Sequence, residues 1–450
     1  MKKGIYIISG LIAAAAPQGL CASLEFSGLT EKAVSVEAPA SSGLSGIYVL
    51  PYCTGVTVTA EVANAASSVS VSRFSNLGGA YGEPVSFTRD GNKVSFAASD
   101  GDMGYIVEEA GRQTAYWLTD YSTHRFEVTA LGIGAEQDCD RCELSFAGNA
   151  GEIAYYSVTG RRQVISRDIE VNYSTLRFDA DRFAYVQENT TETLASINGN
   201  SIHVPSPLCS TSFAIHGDRF LRVWGEEVSM TTETFTPVAV EAQTRATQTE
   251  RDNDNEQKAD GSDNGLGGSA PCEIHFEASV TDAAIFREWQ ISRDPEFGIN
   301  ENTYSDLDFD YTFTDNGTTY VRFVANNADG TCEYVGETYQ IFIGESRLEI
   351  PNAFSPQGSP GVNDEWKVSY KSLVKYECHI FNRWGKELFS STNPAQGWDG
   401  KNGSKYVPAG VYFYVITAEG ADGVKYKRSG DINIINYRES RSNTGQSDSE

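Results

Sequence analysis

The sequence predicts an all-β chain of tandem β-sandwich modules, and three observations carry that prediction. The 450 residues hold 23 Tyr, 22 Phe and 42 Gly against 3 Met. Aromatic residues suit a half-buried pleated surface, and glycine serves the turns between strands. Apolar and polar residues alternate with period two in short runs such as 56–62, 153–158 and 219–224, the pattern of a strand with one wet face. No amphipathic helix of useful length interrupts these runs. The length suggests two to four domains, and 40% apolar residues are enough to pack their cores.

Taken in order, residues 1–22 read as a signal peptide. Lys2 and Lys3 give a positive start, residues 5–16 a short apolar run, and Leu20-Cys21-Ala22 a cleavage site before Ser23. The run is shorter than the roughly 20 residues a bilayer needs, and no transmembrane segment is expected in the mature chain. Lipid attachment through Cys21 is the competing reading, although Leu20 stands where that reaction wants a small residue. Residues 23–134 and 135–240 are expected as two β-sandwich modules. Residues 241–270 contain Asp252-Asn253-Asp254-Asn255-Glu256 and Asp260-Gly261-Ser262-Asp263-Asn264-Gly265 with almost nothing apolar to bury. That composition predicts an acidic, disordered linker. The oxygen-rich run lacks the ligand offsets and closing Glu of a calcium loop.

Residues 271–346 show Cys272, then Trp289, then Cys332. An immunoglobulin-like sandwich uses that order for a disulfide across its two sheets with an indole packed on it. Such a bridge would stabilise by about 4 kcal/mol. Export makes pairing of the other cysteines the expectation as well. One of Cys139 and Cys142 is the candidate partner of Cys209, the other is a weaker candidate for Cys53, and Cys378 beside a core strand is the candidate free thiol.

Residues 347–438 are the most informative. The first block is Pro351-Asn352-Ala353-Phe354, followed by Asn363-Asp364-Glu365-Trp366. Then come Asn382-Arg383-Trp384-Gly385, Trp398-Asp399-Gly400, Pro408-Ala409-Gly410-Val411-Tyr412-Phe413-Tyr414 and Gly430-Asp431. The segment 411–416 reads as a continuous apolar strand, Asn402-Gly403 and Asp422-Gly423 as hairpin turns, and Gly430 as a bulge before the last strand. Trp384, Trp398 and Tyr412 read as core anchors. Asn382, Arg383 and Asp399 read either as a recognition face or as groups that pin loops.

These blocks resemble the gliding-motility-associated C-terminal domain, the type B sorting domain of type IX secretion in the Bacteroidetes. The family often carries a Pro-Asn-Gly-Asp-Gly loop where this chain has Gln357-Gly358-Ser359-Pro360. Residues 359–373 further resemble PorA-type proteins, with weaker support from residues 117–122 and 217–220. The resemblance implies an immunoglobulin-like array ending in a β-sandwich sorting domain, with 439–450 a polar tail. It implies passage through the periplasm to the outer-membrane surface or beyond. The type IX translocon and a PorP/SprF-like outer-membrane protein are the implied partners. The implied role is a component or signalling ligand of the secretion or gliding machinery; a surface adhesin acting through residues 23–240 is the alternative.

Other chemistry finds little support. A net charge of −26 with no basic run repels nucleic acid and anionic membranes. His124, His203, His216, His275 and His379 form no metal-binding pair on a helix, and Gly43-Leu44-Ser45-Gly46 lacks nucleophile-elbow spacing. Cys139-Asp140-Arg141-Cys142 has no second ligand pair and no βαβ setting. The chain is therefore expected to be no enzyme and to need no metal or cofactor.

Overall fold

The computed structural model describes residues 23–78, 81–258, 265–356, 358, 361 and 363–435. The expected signal peptide, Cys21 and the polar tail lie outside them. Nearly every element is a strand, as the alternation predicts, but the 219–224 run is not one: Arg219–Val223 is a short helix capped by Asp218, whose side chain accepts from Leu221 N. Among the described residues, 23–175 with 187–237 form one compact unit and 176–186 with 238–435 a second.

In the first unit, a four-stranded sheet runs in the order Glu25–Ser27, Thr57–Glu61, Lys93–Ala97, Phe87–Asp90. It packs on a six-stranded sheet of Val34–Val36, Gly46–Leu50, Arg112–Asp120, Met103–Glu109, Val69–Phe74 and Glu83–Pro84. The middle of the larger sheet is covered on both faces. Tyr48, Leu50, Tyr116 and Leu118 point into the core between the two sheets, whereas Ile47, Val49, Ala115 and Trp117 point into a second core. Strands buried on both faces read as unbroken apolar runs, which is why Gly46–Leu50 is Gly-Ile-Tyr-Val-Leu.

That second core is completed by residues 126–235, including Phe146, Ile169, Phe213 and Phe235. The expected modules 23–134 and 135–240 are thus not separate beads, because one sheet serves both. Two sequence-distant segments meet there. Tyr121 donates to Asp218 Oδ1 (3.0 Å), and Arg167, 1% exposed, donates from Nε to Asp218 Oδ2 (2.9 Å). Arg167 also donates to the Gly151 carbonyl, and Asp218 caps the short helix Arg219–Val223 by accepting from Leu221 N.

The second unit contains the immunoglobulin-like sandwich. One sheet is Ala242–Gln248, Cys272–Val280, Asp308–Phe313. The other runs Gly267–Gly268, Tyr339–Ile343, Gly317–Asn326, Phe286–Ser292, Asn302–Tyr304. Trp289 is fully buried against Phe276, Phe309, Phe323 and Tyr339. The disulfide expected beneath it does not form, because Cys272 is a buried free thiol. Cys272 opens its strand, whereas Cys332 lies past the Asn326 end of another, accepted at its amide by Asn327 near Val238. That is the opposite end of the sandwich, roughly 26 Å of strand away at about 3.3 Å per residue. Aromatic packing takes the place of the bridge.

Cys332 and Cys139 are each disulfide-bonded. Cys142 is a buried free thiol, and the buried Cys209 thiol donates to the Ser174 carbonyl, so Cys209 is not the bridge partner expected for Cys139 or Cys142. Cys53 is likewise a buried free thiol.

The expected linker is also corrected. Residues Ala242–Gln248 pair along their whole length with Cys272–Val280. Their alternation is carried by Ala242, Thr244 and Ala246, side chains too small for the pattern to register as apolar. Further on, Tyr370 N donates to the Asn255 carbonyl and Gln257 N to the Tyr370 carbonyl, while Asn255 Nδ2 donates to the carbonyls of Val368 (2.7 Å) and Pro394 (2.8 Å). Residues 253–257 are thereby stitched to the C-terminal domain.

That domain has a five-stranded sheet: Ala353–Phe354, Lys425–Ile434, Gly410–Gly420, Leu373–Phe381, Glu387–Ser391. Gly410–Gly420 pairs with Lys425–Ile434 in one unbroken register, so Gly430 makes no bulge. A Cβ on Gly430 would come within 2.7 Å of the Tyr414 hydroxyl, and room for that ring accounts for the glycine.

A candidate recognition surface on the C-terminal domain

Most of the sequence blocks hold the domain together. Pro351 accepts at its carbonyl from Trp366 Nε1 (2.7 Å), and the Asn352 carbonyl accepts from Asn433 N (2.9 Å). Phe354 packs on the buried Trp398, which packs on Tyr412. Trp366 packs at a tilt against Tyr414, and the Tyr412 hydroxyl donates to the Pro408 carbonyl (2.8 Å), fixing the entry to the strand at Gly410. Asn363 accepts at its carbonyl from Ser355 N, and Asp364 accepts from Gly361 N. Asp399 accepts from Lys401 N (3.0 Å) and pairs with Lys401 Nζ (2.8 Å), so it pins a turn. Gly400 closes that turn at φ +75°, where a Cβ would press on Pro356.

The Asn382-Arg383-Trp384-Gly385 block behaves differently. Asn382 Oδ1 accepts from Trp384 N and Lys386 N, both at 3.0 Å, and Gly385 at φ +79° lets the chain reverse. The turn is rigid, yet its tip is bare. Trp384 is 75% exposed rather than a core anchor, with the Arg383 guanidinium 4.2 Å over its ring. A hairpin tip between Leu373–Phe381 and Glu387–Ser391 has no second layer to receive an indole.

The apolar strand also divides. Tyr412 and Ile416 face the core, but Val411, Phe413 and Val415 stand on the outer face, exposed by 38–48%. Phe381 is the cross-strand neighbour of Phe413, and His379 that of Val415. His379 lies between Glu377 (3.1 Å) and Glu387 (2.8 Å), whose hydrogen bonds hold its pKa above the ordinary histidine value. An uninterrupted apolar strand normally means both faces are covered; here one is not. Sequence reading missed this patch, although the period-two pairing of Val411, Phe413 and Val415 was the available signal.

Charge separates the domain as well. Residues 347–435 carry eleven Lys and Arg against nine Asp and Glu, a net +2 in a chain of net −26. Among the described residues there is no His, Cys, Asp and Glu group fit to hold a metal, and no helix long and apolar enough to cross a membrane.

Residues 133–232 match the fibronectin type III domain, and residues 348–434 match the CHU_C type IX secretion signal domain. No curated protein matches the chain. Solved structures similar to it include a tetra-tandem repeat from the extending region of a large adhesion protein. It is 12% identical, covers 86% of this chain and 96% of that one, and has a TM-score of 0.21. Immunoglobulin domains 1–5 of Sidekick-1 are 10% identical over 87% and 78%, with a TM-score of 0.23. A Ca2+-stabilised, ice-binding adhesin of an Antarctic bacterium is 13% identical over 85% and 93%, with a TM-score of 0.18. Residues 348–434 are a type IX secretion signal domain, which marks the chain for export to the cell surface or extracellular space.

Proposed function

We propose that this is a non-enzymatic cell-envelope protein that works through its signal domain, as a component or signalling ligand of the secretion or gliding machinery. The bare face made by Val411, Phe413 and Val415, together with the exposed Trp384 tip elsewhere on the same domain, carries the reading. Most of the other motif side chains are occupied in the core or in holding turns, so this face is what the domain has left to offer a partner. Burying exposed aromatic and β-branched side chains is how such a surface gains affinity. The type IX translocon is the first partner, and an outer-membrane protein of the PorP/SprF type, as in PorA-type proteins, is the second.

The test is secretion of the full chain, and of a chain ending at residue 346, in hosts with and without a working translocon. Surface delivery of the full chain in the competent host alone supports the address. Equal delivery of the shortened chain sinks it. A Phe413→Lys chain that folds but stays inside the cell would assign recognition to the bare face; normal delivery would remove that face from the account.

A further inference from the structure

The first unit holds a groove of about 620 Å³ whose lining has no charged side chain. Its eleven residues come from the Ile169–Asp179 and Ala184–Leu194 strands and from the segments at 210–212 and 234. Every one is Asn, Gln, Ser, Thr or Tyr. In a chain where 21% of residues are charged, a surface groove free of Asp, Glu, Lys, Arg and His is a chemical selection.

Its walls are preorganised. Ser174 Oγ donates to Asn189 Oδ1 (2.9 Å), and Thr191 Oγ1 donates to Asn172 Oδ1 (2.7 Å). The two bonds share one antiparallel register, and each uses an amide oxygen, leaving each Nδ2 as a donor. Below them, Thr211 Oγ1 accepts from Ser174 N (2.9 Å), and the buried Tyr173 packs on Phe213, so the base is tied into the core. Ser212 and Thr234, both exposed, add hydroxyls at the rim.

We propose that this groove is a binding site for a neutral carbohydrate. An anionic ligand would need a cation or a cluster of backbone amides, and a cationic one a carboxylate. An apolar ligand would need an apolar lining. A neutral saccharide presents neighbouring hydroxyls, each donor and acceptor at once. Side-chain amides and hydroxyls offer the same dual capacity in return. A groove of this volume falls in the range that encloses a small ligand, enough for one or two sugar rings. The site does not depend on the secretion reading, and its failure would leave that reading untouched.

The full chain is titrated against oligosaccharides of glucose, mannose, galactose and N-acetylglucosamine, together with sialylated and sulfated forms of the same series. Binding to at least one neutral series is expected, unchanged between low and high salt because no ion pair is made. Asn172→Asp with Asn189→Asp keeps both Oδ1 acceptors and the side-chain volume but removes both Nδ2 donors. It should weaken binding by about tenfold or more. Independently, the bound neutral saccharide should slow amide exchange of the wild-type chain at 172–175, 187–191 and 210–212. The proposal is overturned by no binding to any neutral series, by binding confined to the charged forms, by an undiminished affinity in the folded double variant, or by protection confined to other parts of the chain.

Discussion

Two tryptophans fourteen residues apart in the same set of motifs have opposite fates. Trp398 is 1% exposed and Trp384 75%. Trp398→Ala should cost about 3–5 kcal/mol through the cavity it opens, whereas Trp384→Ala should lie within about 0.5 kcal/mol of the parent. Denaturant midpoints of the two variants check the contrast. The second measurable residue is His379. Its folded pKa is raised, so its contribution to stability is full below the unfolded value near 6.5 and fades as pH rises through the folded value. A proton-exchange titration should place its midpoint above that of Glu387→Gln, and equal midpoints would deny the carboxylate its role. Burial pushes the Cys272 and Cys378 thiols up to about 11, so at pH 8 only about one in a thousand is thiolate. Alkylating reagents should therefore leave both untouched until the chain is unfolded. Residue identity alone separated none of these cases, because the fate of an aromatic side chain depends on whether a second layer lies above it.

At the level of elements, the strands were legible wherever alternation used large side chains, as in Cys272–Val280 and Gly317–Asn326. The Ala242–Gln248 strand was not, since Ala and Thr alternate without marking a face, and the acidic run after it dominated the composition. Asn255 then does structural work that no local pattern announces. Asn255→Ala removes the donor to two carbonyls and should destabilise the C-terminal domain by about 1–3 kcal/mol. Amide exchange localised to 366–371 and 392–396 would detect it. The Arg167–Asp218 pair lies equally out of reach of sequence reading, since the two residues are 51 positions apart. Asp218→Ala strands a buried guanidinium and should cost about 3–5 kcal/mol, against a much smaller loss at the exposed Arg162–Glu152 pair. The sorting-domain blocks were legible as a set because their turns need particular residues. The bare face was not, because exposure is a property of the assembled sheet.

For the whole molecule, the architecture of β-sandwiches follows from composition and period, but the number of independent folding units does not. Two cores share the Gly46–Leu50 and Arg112–Asp120 strands. Leu50→Ala in one core and Phe213→Ala in the other should therefore lower the same calorimetric transition, and separate shifts would show two modules after all. That shared sheet also bears on ancestry. Arrays of sandwiches usually lengthen or shorten by exchange of whole modules at their joints. A genetic crossover near residue 134 in this chain would leave Ile47, Val49, Ala115 and Trp117 facing water on one product and a core without its lid on the other. Residues 23–237 are thus tied together by packing, even though residues 133–232 by themselves match a fibronectin type III domain.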